Sequence, residues 1–327
     1  MNPQILNKSN TAEGCFFIEE FSFRTSHKVP IYDISTMGAF NQLVGFAKFI
    51  NSEYGNVYYR GIGGLYDNVM PSLLRNRRKG IPDDLTSMLK TIAKDERLME
   101  SLKLRPLNLK VHTKNQILFN KVVERYNKYT IESLLQHYVG CTRFLDVVDN
   151  HWIALWMGLH KFKLHGKGLK FCDCEKRNVP LCDYYETIAS GKGLGVDKSI
   201  YVYVLLIAMP HANNYPHYGI TETENFVEVD LRKALPSIYL RPHAQHALVV
   251  RKRDKQNIKA EANYYDMSSQ VVGILRIRVD RADKWLGNGA LMTKDNIFPS
   301  PSIDQGYNTL LMRQDIFTCP FEIIKYY

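Results

Sequence analysis

The chain has 327 residues, of which 45% are hydrophobic and 23% charged, close to the average globular protein, so a disordered chain, a collagen-like repeat and a disulfide miniprotein are excluded. Its 43 Lys and Arg residues exceed its 33 Asp and Glu residues, giving a net charge of +10. A basic surface favours polyanionic partners such as RNA or DNA, although many basic proteins bind no polyanion.

The sequence predicts a cytoplasmic protein that does not cross a membrane. No uncharged apolar stretch reaches the roughly 18 residues that a spanning helix needs. The first residues lack the apolar core behind a basic head that marks a signal peptide. Six cysteines without a regular framework are typical of a reducing compartment.

The first half of the chain is predicted to be mainly helical. Residues 1–30 suggest one or two strands, and residues 56–61 a strand that ends in glycine. Apolar residues recur at helical spacing over 33–51, with Asp33 or Ser35 placed to cap the helix. Further helices are predicted over 84–128, 131–137 and 150–163.

The second half reads as strands separated by turns. β-branched and apolar runs cover 199–208, 225–229, 247–250 and 271–279. Residues 280–287 suggest a short helix, and 293–297 a loop into the tail. Helices followed by strands predict an α+β fold rather than alternating βαβ units.

A zinc site is one interpretation of a cysteine-containing segment. A tetrahedral site needs four donors that can converge, and His165, Cys172, Cys174 and Cys182 supply that number. The segment lacks the paired CxxC spacing of zinc knuckles, so three free thiols in an insertion remain the alternative.

Three basic clusters could track a phosphate backbone. They are Arg75, Arg77, Arg78 and Lys79; Lys161 to Lys170; and Arg251, Lys252, Arg253 and Lys255. The alternative for each cluster is a solvated surface.

A short segment around Gly140 contains an unusual number of polar side chains. Gln136, His137, Thr142, Arg143 and Asp146 all fall within eleven residues. Core packing does not require them, although a buried hydrogen-bond network that locks the turn is an alternative to a functional site. Asp149, just before the predicted helix, is interpreted as its cap.

Two further segments also place polar side chains next to apolar strand residues. A strand delivers Arg60 at its end, where the planar guanidinium suits a phosphate or carboxylate and Gly61 would let a ligand approach the backbone. The third segment contains Arg241, Gln245 and His246 just before a strand.

Together these three segments resemble the FRG domain family, named for its Phe/Tyr-Arg-Gly motif. Tyr59-Arg60-Gly61 with residues 70–75, the block from Leu134 to Asp146, Ala154-Leu155, and Arg241 with Ala244-Gln245 carry the resemblance. Residues 285–289 and 296–300 resemble the closing segment of the family.

The resemblance implies one domain over residues 1–327, with a core at about 30–310. A helical insertion is expected at about 80–128, and a Cys-, Lys- and Gly-rich insertion at about 163–198. The chain departs from the family pattern at Cys141, where proline is usual, and at Val147-Val148, where Trp-Thr is usual. Ala247 also takes a common glycine position.

The order of the motifs is similar to that of arginine-type ADP-ribosyltransferases, which implies a split β-sheet core and NAD as co-substrate. The implied catalytic residues are Arg60, Asp146 and Gln245. The residues expected to bind the dinucleotide are Tyr59, Arg60, Gly61, Gln136, His137, Thr142, Arg143 and Arg241. Arg60 would hold the diphosphate and Asp146 would stand at the nicotinamide corner.

The third motif departs from the transferases, because Ala247 stands where their glutamate is expected. Despite this departure, the resemblance implies a transferase-like effector of the toxin or phage-defence type. Its substrate would be nucleic acid or a nucleic-acid-associated protein, and a protein such as an antitoxin could be its partner. One alternative is a nucleotide- or nucleic-acid-binding module without chemistry. Another is a metal-dependent nuclease that uses His137, Asp146 and Asp149.

Overall fold

The computed structural model describes residues 2–8, 12–74, 128–138, 142–165, 171–177, 200–212, 214–253 and 262–311. The predicted helix over 84–128 lies outside the described residues except for its last position. Most of both predicted insertions also falls outside them.

Ten strands form one large mixed sheet, which with the surrounding helices confirms the α+β class. They are β1 (Cys15–Ser22), β2 (Lys28–Ile34), β3 (Gly55–Ile62), β4 (Leu145–Val148), β7 (Tyr201–Pro210), β8 (Asn214–His217), β9 (Ile220–Glu222), β10 (Phe226–Asp230), β11 (Ala247–Lys252) and β12 (Val271–Arg278). Strands β5 (His160–His165) and β6 (Phe171–Lys176) form a separate hairpin.

The strand order is β1-β2-β12-β7-β3-β4-β11-β10-β9-β8. Strands β2 and β12 are parallel, and the other neighbours are antiparallel. Strands β3 and β4 share a single ladder pair, Tyr59 with Val148, whereas β3 and β7 pair over eight residues. We call this pair the junction, because it joins two half-sheets of five strands each.

Eight α-helices surround the sheet in the described residues, and none of them is long and apolar enough to cross a membrane. They are α1 (Met37–Ile50), α2 (Lys128–Tyr138), α3 (His151–Gly158), α4 (Leu231–Ala234), α5 (Leu240–Ala244), α6 (Val279–Trp285), α7 (Lys294–Ile297) and α8 (Gln305–Leu311). Short 3-10 turns cover Ser72–Leu74, Ala262–Tyr265, Ser268–Gln270 and Gly287–Gly289.

Helix α1 confirms the prediction from periodicity, but its cap differs from the predicted one. The Thr36 side chain accepts a hydrogen bond from the Ala39 N–H at 3.1 Å, whereas Asp33 lies inside β2. A Thr at this position satisfies one of the N–H groups that a helix leaves unpaired at its start. The buried stripe of α1 then packs on the first half-sheet.

Helix α3 is shorter than predicted, because it ends at Gly158 and β5 begins at His160. The predicted extension to residue 163 is therefore wrong. Residues 161–165 alternate between polar and apolar, which is a strand period that the helical prediction overlooked. The His160 ring stacks on Trp156 at a centroid distance of 3.8 Å and supports this change of direction.

Apolar side chains pack on both faces of the sheet. On one face, α1 and α3 cover the first half-sheet, while α2, α4 and α5 cover the second. On the opposite face, Phe23, Val69 and Met267 lie over residues of β3, β7, β11 and β12. Apolar side chains therefore cover both faces of the sheet on either side of the junction.

The strands predicted in the second half are confirmed at β7, β10, β11 and β12, within two residues at each end. The predicted helix over 280–287 is α6, but residues 294–297 form helix α7 rather than the predicted loop. The first half supplies more strand than expected, because β1 to β4 all come from it.

Gly61 is required by the packing of α3 against β3. A Cβ atom at this position would lie 1.6 Å from the carbonyl oxygen of Ala154. The main-chain atoms cannot be displaced as a flexible side chain can. The glycine of the Tyr-Arg-Gly motif is therefore explained by helix packing, whereas the sequence suggested ligand approach.

We expect Gly61→Ala to lower the free energy of unfolding by about 1–3 kcal/mol or more, as overpacking of a rigid core does. Gly64→Ala is the matched control, since a Cβ atom at Gly64 would have no atom within 4 Å and the residue does not need a positive φ. The control should change stability by less than about 0.5 kcal/mol. Urea unfolding of both variants tests this, and equal losses would contradict it.

Candidate functional site

The predicted arginine and the predicted corner meet at the junction. Just past the Tyr59–Val148 pair, Nη1 of Arg60 donates a hydrogen bond to the main-chain carbonyl of Asp146 at 2.6 Å. The guanidinium thus satisfies a carbonyl where the strand ladder stops. Arg60 is half-buried, so part of its surface stays accessible to solvent while it makes this hydrogen bond.

The side chain of Asp146 belongs to a second network, at the end of α2. Nε2 of Gln136 donates to Oδ2 of Asp146 at 2.6 Å, and Oδ1 lies 3.6 Å from Nδ1 of His137. The Thr142 hydroxyl donates to Oε1 of Gln136 at 2.8 Å. We call Gln136, His137, Thr142 and Asp146 the polar corner, and Arg60 touches it through the Asp146 main chain.

The polar corner is buried except at its carboxylate. The side chain of Asp146 is 31% exposed, whereas that of His137 is 4% exposed. Gln136 and Thr142 are buried as well. The arrangement therefore presents a carboxylate, held in place by the Gln136 amide, close to a half-buried guanidinium. Such a pair can receive a ligand with both a cationic and an anionic part.

Arg143 faces away from this group and holds α2 to the start of β4. Its Nε donates to Oε1 of Glu132 at 2.8 Å, its Nη2 to Oε2 at 2.5 Å, and its main-chain N–H also reaches Oε1 at 3.1 Å. The Glu132 side chain is fully buried. This bidentate pair explains Arg143 as a fixed structural connection.

The third motif packs against the C-terminal segment. The guanidinium of Arg241 lies 3.8 Å from the ring centroid of Phe298, 4.3 Å from that of Tyr307 and 4.8 Å from that of Tyr138. These cation–π contacts hold a charge that is 1% exposed. The amide of Gln245 donates to the carbonyl of Ile297 at 3.0 Å, so this contact directs Gln245 toward α7.

Tyr59 lies on the other face of β3, among aromatic rings. Its ring centroid is 5.7 Å from that of His151, and Nζ of Lys48 is 5.5 Å from the Tyr59 centroid. Burial, and then the charge of Asp149, raise the pKa of Tyr59, so its hydroxyl stays protonated. Burial likewise lowers the pKa of His151 to about 4, which keeps that ring neutral.

Several predicted residues carry buried polar atoms without a hydrogen-bond partner in the described part of the chain. These atoms are the Tyr59 hydroxyl, Nε2 of His137, Oδ1 of Asp146, and Nε and Nη2 of Arg241. Most buried polar groups in proteins are paired, because an unpaired one costs about 1–3 kcal/mol. Their concentration on the motif residues is the kind of exception that needs an explanation.

On the other side of the junction, Asp149 forms an ion cluster and does not cap α3. The cap is Asn150, whose side chain accepts from the N–H groups of Trp152 and Ile153. Oδ2 of Asp149 lies 2.7 Å from Nη1 of Arg232, and its Oδ1 lies 3.1 Å from Nδ1 of His246. The interpretation of Asp149 as the cap is therefore wrong by one residue.

Arg232 is held by two carboxylates. Besides Asp149, it binds Asp230 through Nε at 2.9 Å and Nη2 at 3.0 Å. The hydrogen bonds to Asp230 raise the pKa of Arg232 despite its burial. Burial alone would raise the pKa of Asp230, but the hydrogen bonds and charges of Arg232 and Lys233 lower it overall. Both groups stay ionised near neutral pH.

A cleft of about 870 Å³ opens beside this ion cluster, between the first residues of β3 and strands β9 to β11. At its wall, the Tyr58 hydroxyl donates to Oε1 of Glu228 at 2.6 Å. The sequence interpretation missed Tyr58, Glu228 and Arg232. The acidic residues Glu228 and Asp230 alternate with valines inside a buried strand, and this pattern could have indicated them as candidate site residues.

The described residues contain no group of three or more His, Cys, Asp or Glu side chains that could hold a metal ion. Of the four predicted zinc ligands, Cys182 lies outside the described residues. Cys174 is buried in the main apolar core, and the β5–β6 register pairs Phe162 with it. The zinc interpretation therefore gains no support from the part of the segment that can be seen.

The structure describes only some residues of the predicted basic clusters. Arg251 is fully buried, with its guanidinium 5.0 Å from the Tyr129 ring and 5.2 Å from the Phe144 ring. The expectation that it contacts a polyanion is wrong, because its side chain packs in the core. The cluster from Arg75 to Lys79, and Lys255, lie outside the described residues.

We expect Arg143→Ala to lower the free energy of unfolding by about 3–5 kcal/mol, because it leaves the buried Glu132 carboxylate without its charged partner. Arg24→Ala is the control, since it removes an exposed arginine from its pair with Asp67. That loss should stay below about 1 kcal/mol. Chemical denaturation compares the two, and a loss below 1 kcal/mol for Arg143→Ala would rule out a stabilising role for the pair.

No protein-family model matches the chain, and neither does any curated protein or solved structure.

Proposed function

We propose that the chain is an FRG-type, ADP-ribosyltransferase-like protein that binds NAD at the polar corner and Arg60. In this proposal Arg60 holds the diphosphate, and Gln136, His137 and Thr142 shape the nicotinamide side of the pocket. Asp146 takes the place of the glutamate that the third motif lacks. The proposed role is that of a toxin or phage-defence effector that modifies nucleic acid or a protein bound to it.

One observation carries the proposal. The buried polar atoms that lack partners within the described residues include atoms of Tyr59, His137, Asp146 and Arg241, which are all motif residues. A structural network would be expected to satisfy its own donors and acceptors. Catalytic sites are one of the settings in which buried polar atoms are left unpaired. These atoms are themselves buried, so NAD would meet the polar corner at the partly exposed carboxylate of Asp146.

The topology is compatible with a shared pocket. Strand β3 ends near Arg60, β4 carries Asp146, and β11 follows Gln245, and these three strands are neighbours in the sheet. The single-pair junction between β3 and β4 agrees with the split sheet that the resemblance implies. Motifs that are far apart in the chain are thus carried by adjacent strands.

The chemistry asked of this chain is the stabilisation of positive charge. When the bond between nicotinamide and ribose breaks, its electron pair leaves with nicotinamide and the ribose carbon becomes cationic. The partly exposed carboxylate of Asp146, oriented by Gln136, can stabilise that charge. An acceptor then attacks the ribose carbon and loses its proton to solvent.

A binding module without chemistry is the second candidate, and Gln245 favours it. The Gln245 amide is bonded to the Ile297 carbonyl, and Ala247 is buried in the sheet, so neither supplies a charge to a reacting ribose. In this case NAD or another nucleotide binds at the polar corner without turnover. The nuclease alternative is not favoured by any metal-ligand group among the described residues.

Nicotinamide release from NAD by the purified chain tests the proposal, alone and with RNA, DNA or cell extract added. We expect Asp146→Asn to reduce the rate by about 10²–10³-fold, the usual loss when one electrostatic contact to the transition state is removed. Arg60→Ala should mainly weaken NAD binding, which calorimetry measures separately. Arg24→Ala serves as the unaffected control, because it removes an exposed ion pair with Asp67 that is not part of the polar corner.

The two candidates predict different results. Release that requires Asp146 supports the transferase. NAD binding that requires Arg60 but yields no nicotinamide under any condition supports the binding module. A folded protein that neither binds nor cleaves NAD would contradict both.

A further inference from the structure

The cleft on the far side of the junction contains a carboxyl group that the polar corner does not use. Glu228 lies on β10 and faces Tyr58 of β3, across the opening between the half-sheets. The cleft volume of about 870 Å³ is within the range of small-molecule sites, roughly 300–1,000 Å³. Arg60, Asp146 and Gln245 are not among the described residues that line it.

Glu228 is held as a hydrogen-bond acceptor. Burial raises its pKa, and the hydrogen bond from Tyr58 partly offsets that increase. Burial and the nearby Glu228 charge raise the pKa of Tyr58, so this hydroxyl remains a donor. A carboxylate has about four acceptor positions, and among the described residues Tyr58 is the hydrogen-bond donor that occupies one. The remaining positions are available to a ligand.

The other charged side chains in the cleft differ in how strongly they are paired. Arg232 is saturated by Asp230 and Asp149, so it adds little attraction for a ligand. Lys48 lines the cleft, is exposed, and has no ion pair within the described residues. Lys233, which is 58% exposed, lies 3.4 Å from Asp230, a weak surface contact. The cleft thus offers two cations and one acceptor-rich carboxylate.

We propose that this cleft is a binding site for a phosphorylated sugar, with neighbouring sugar hydroxyls donating to Glu228 and the phosphate lying between Lys48 and Lys233. Carboxylates recognise ribose hydroxyls in this way in nucleotide sites. A phosphate without sugar hydroxyls would meet the Glu228 carboxylate without a compensating hydrogen bond, and a cation would be repelled by the lysines. The proposal does not depend on the transferase function, because its residues are not those of the polar corner.

Isothermal titration with ribose 5-phosphate tests the site, and ribose and inorganic phosphate are the comparison ligands. We expect ribose 5-phosphate to bind more tightly than either part alone. Glu228→Gln should raise its Kd by at least about tenfold, since hydrogen bonds to a charged group are lost. The glutamine oxygen can still accept from Tyr58, so the fold should be retained, which thermal unfolding checks.

Matched variants separate this site from the polar corner. Lys48→Ala should weaken ribose 5-phosphate and inorganic phosphate alike, whereas Glu224→Gln, an exposed acid on the β9–β10 turn, should leave binding unchanged. Arg60→Ala should also leave it unchanged. No binding of ribose 5-phosphate at millimolar concentration would overturn the proposal. So would binding that survives Glu228→Gln, or binding that Arg60→Ala abolishes.

Discussion

The fold depends on a single ladder pair, Tyr59 with Val148, that connects two five-stranded half-sheets. Strand β4 ends at Val148, so the first residues of β3 run past its end. Main-chain groups beyond the pair cannot be satisfied by the ladder, and buried main-chain groups need partners. On one side the Arg60 guanidinium supplies a partner to the Asp146 carbonyl. On the other side the strands separate and leave the cleft. Both polar regions therefore lie where the pairing of β3 with β4 stops, one on each side of the Tyr59–Val148 pair.

The charged residues around the junction fall into two groups. In one group the hydrogen-bonding capacity is filled by protein partners, and in the other part of it remains open. Arg143 with Glu132, and Arg232 with Asp230, are complete pairs that fix α2 and α4 on the second half-sheet. Asp146 and Glu228 are different, because each accepts one side-chain hydrogen bond from a neutral group, the Gln136 amide or the Tyr58 hydroxyl, and keeps part of its accepting capacity. A sequence contains no sign of this division, since the same residue types occur in both groups. Only the three-dimensional partners separate a structural charge from one that can serve a ligand.

Much of the fold could be predicted from periodicity, and less of the site. The 3.6-residue pattern of α1 and the β-branched runs of β7, β10, β11 and β12 were sufficient to place these elements. Helix α3 was extended too far because Trp156 and Phe162 fit a helical stripe, although the alternation after Gly158 marks a strand. Of the motif residues, Arg60 contacts the main chain of Asp146, and Gln136 contacts its side chain. The motifs could not reveal that Gln245 turns to Ile297, or that Glu228 faces Tyr58, because these contacts join segments 52 and 170 residues apart.

The order of the strands has a consequence for how the molecule can be assembled. One half-sheet contains β1, β2, β3, β7 and β12, and the other contains β4 and β8 to β11. Along the chain, the strands of the second half-sheet lie between the first and last strands of the first half-sheet, so no single cut separates the two half-sheets into different fragments. Strand β3 must also wait for β7, which lies more than 140 residues later, before its long ladder can form. Such a high contact order predicts slow folding in which both half-sheets become stable together. Truncation from either end would therefore remove strands of the first half-sheet first, β1 at the start of the chain and β12 at its end.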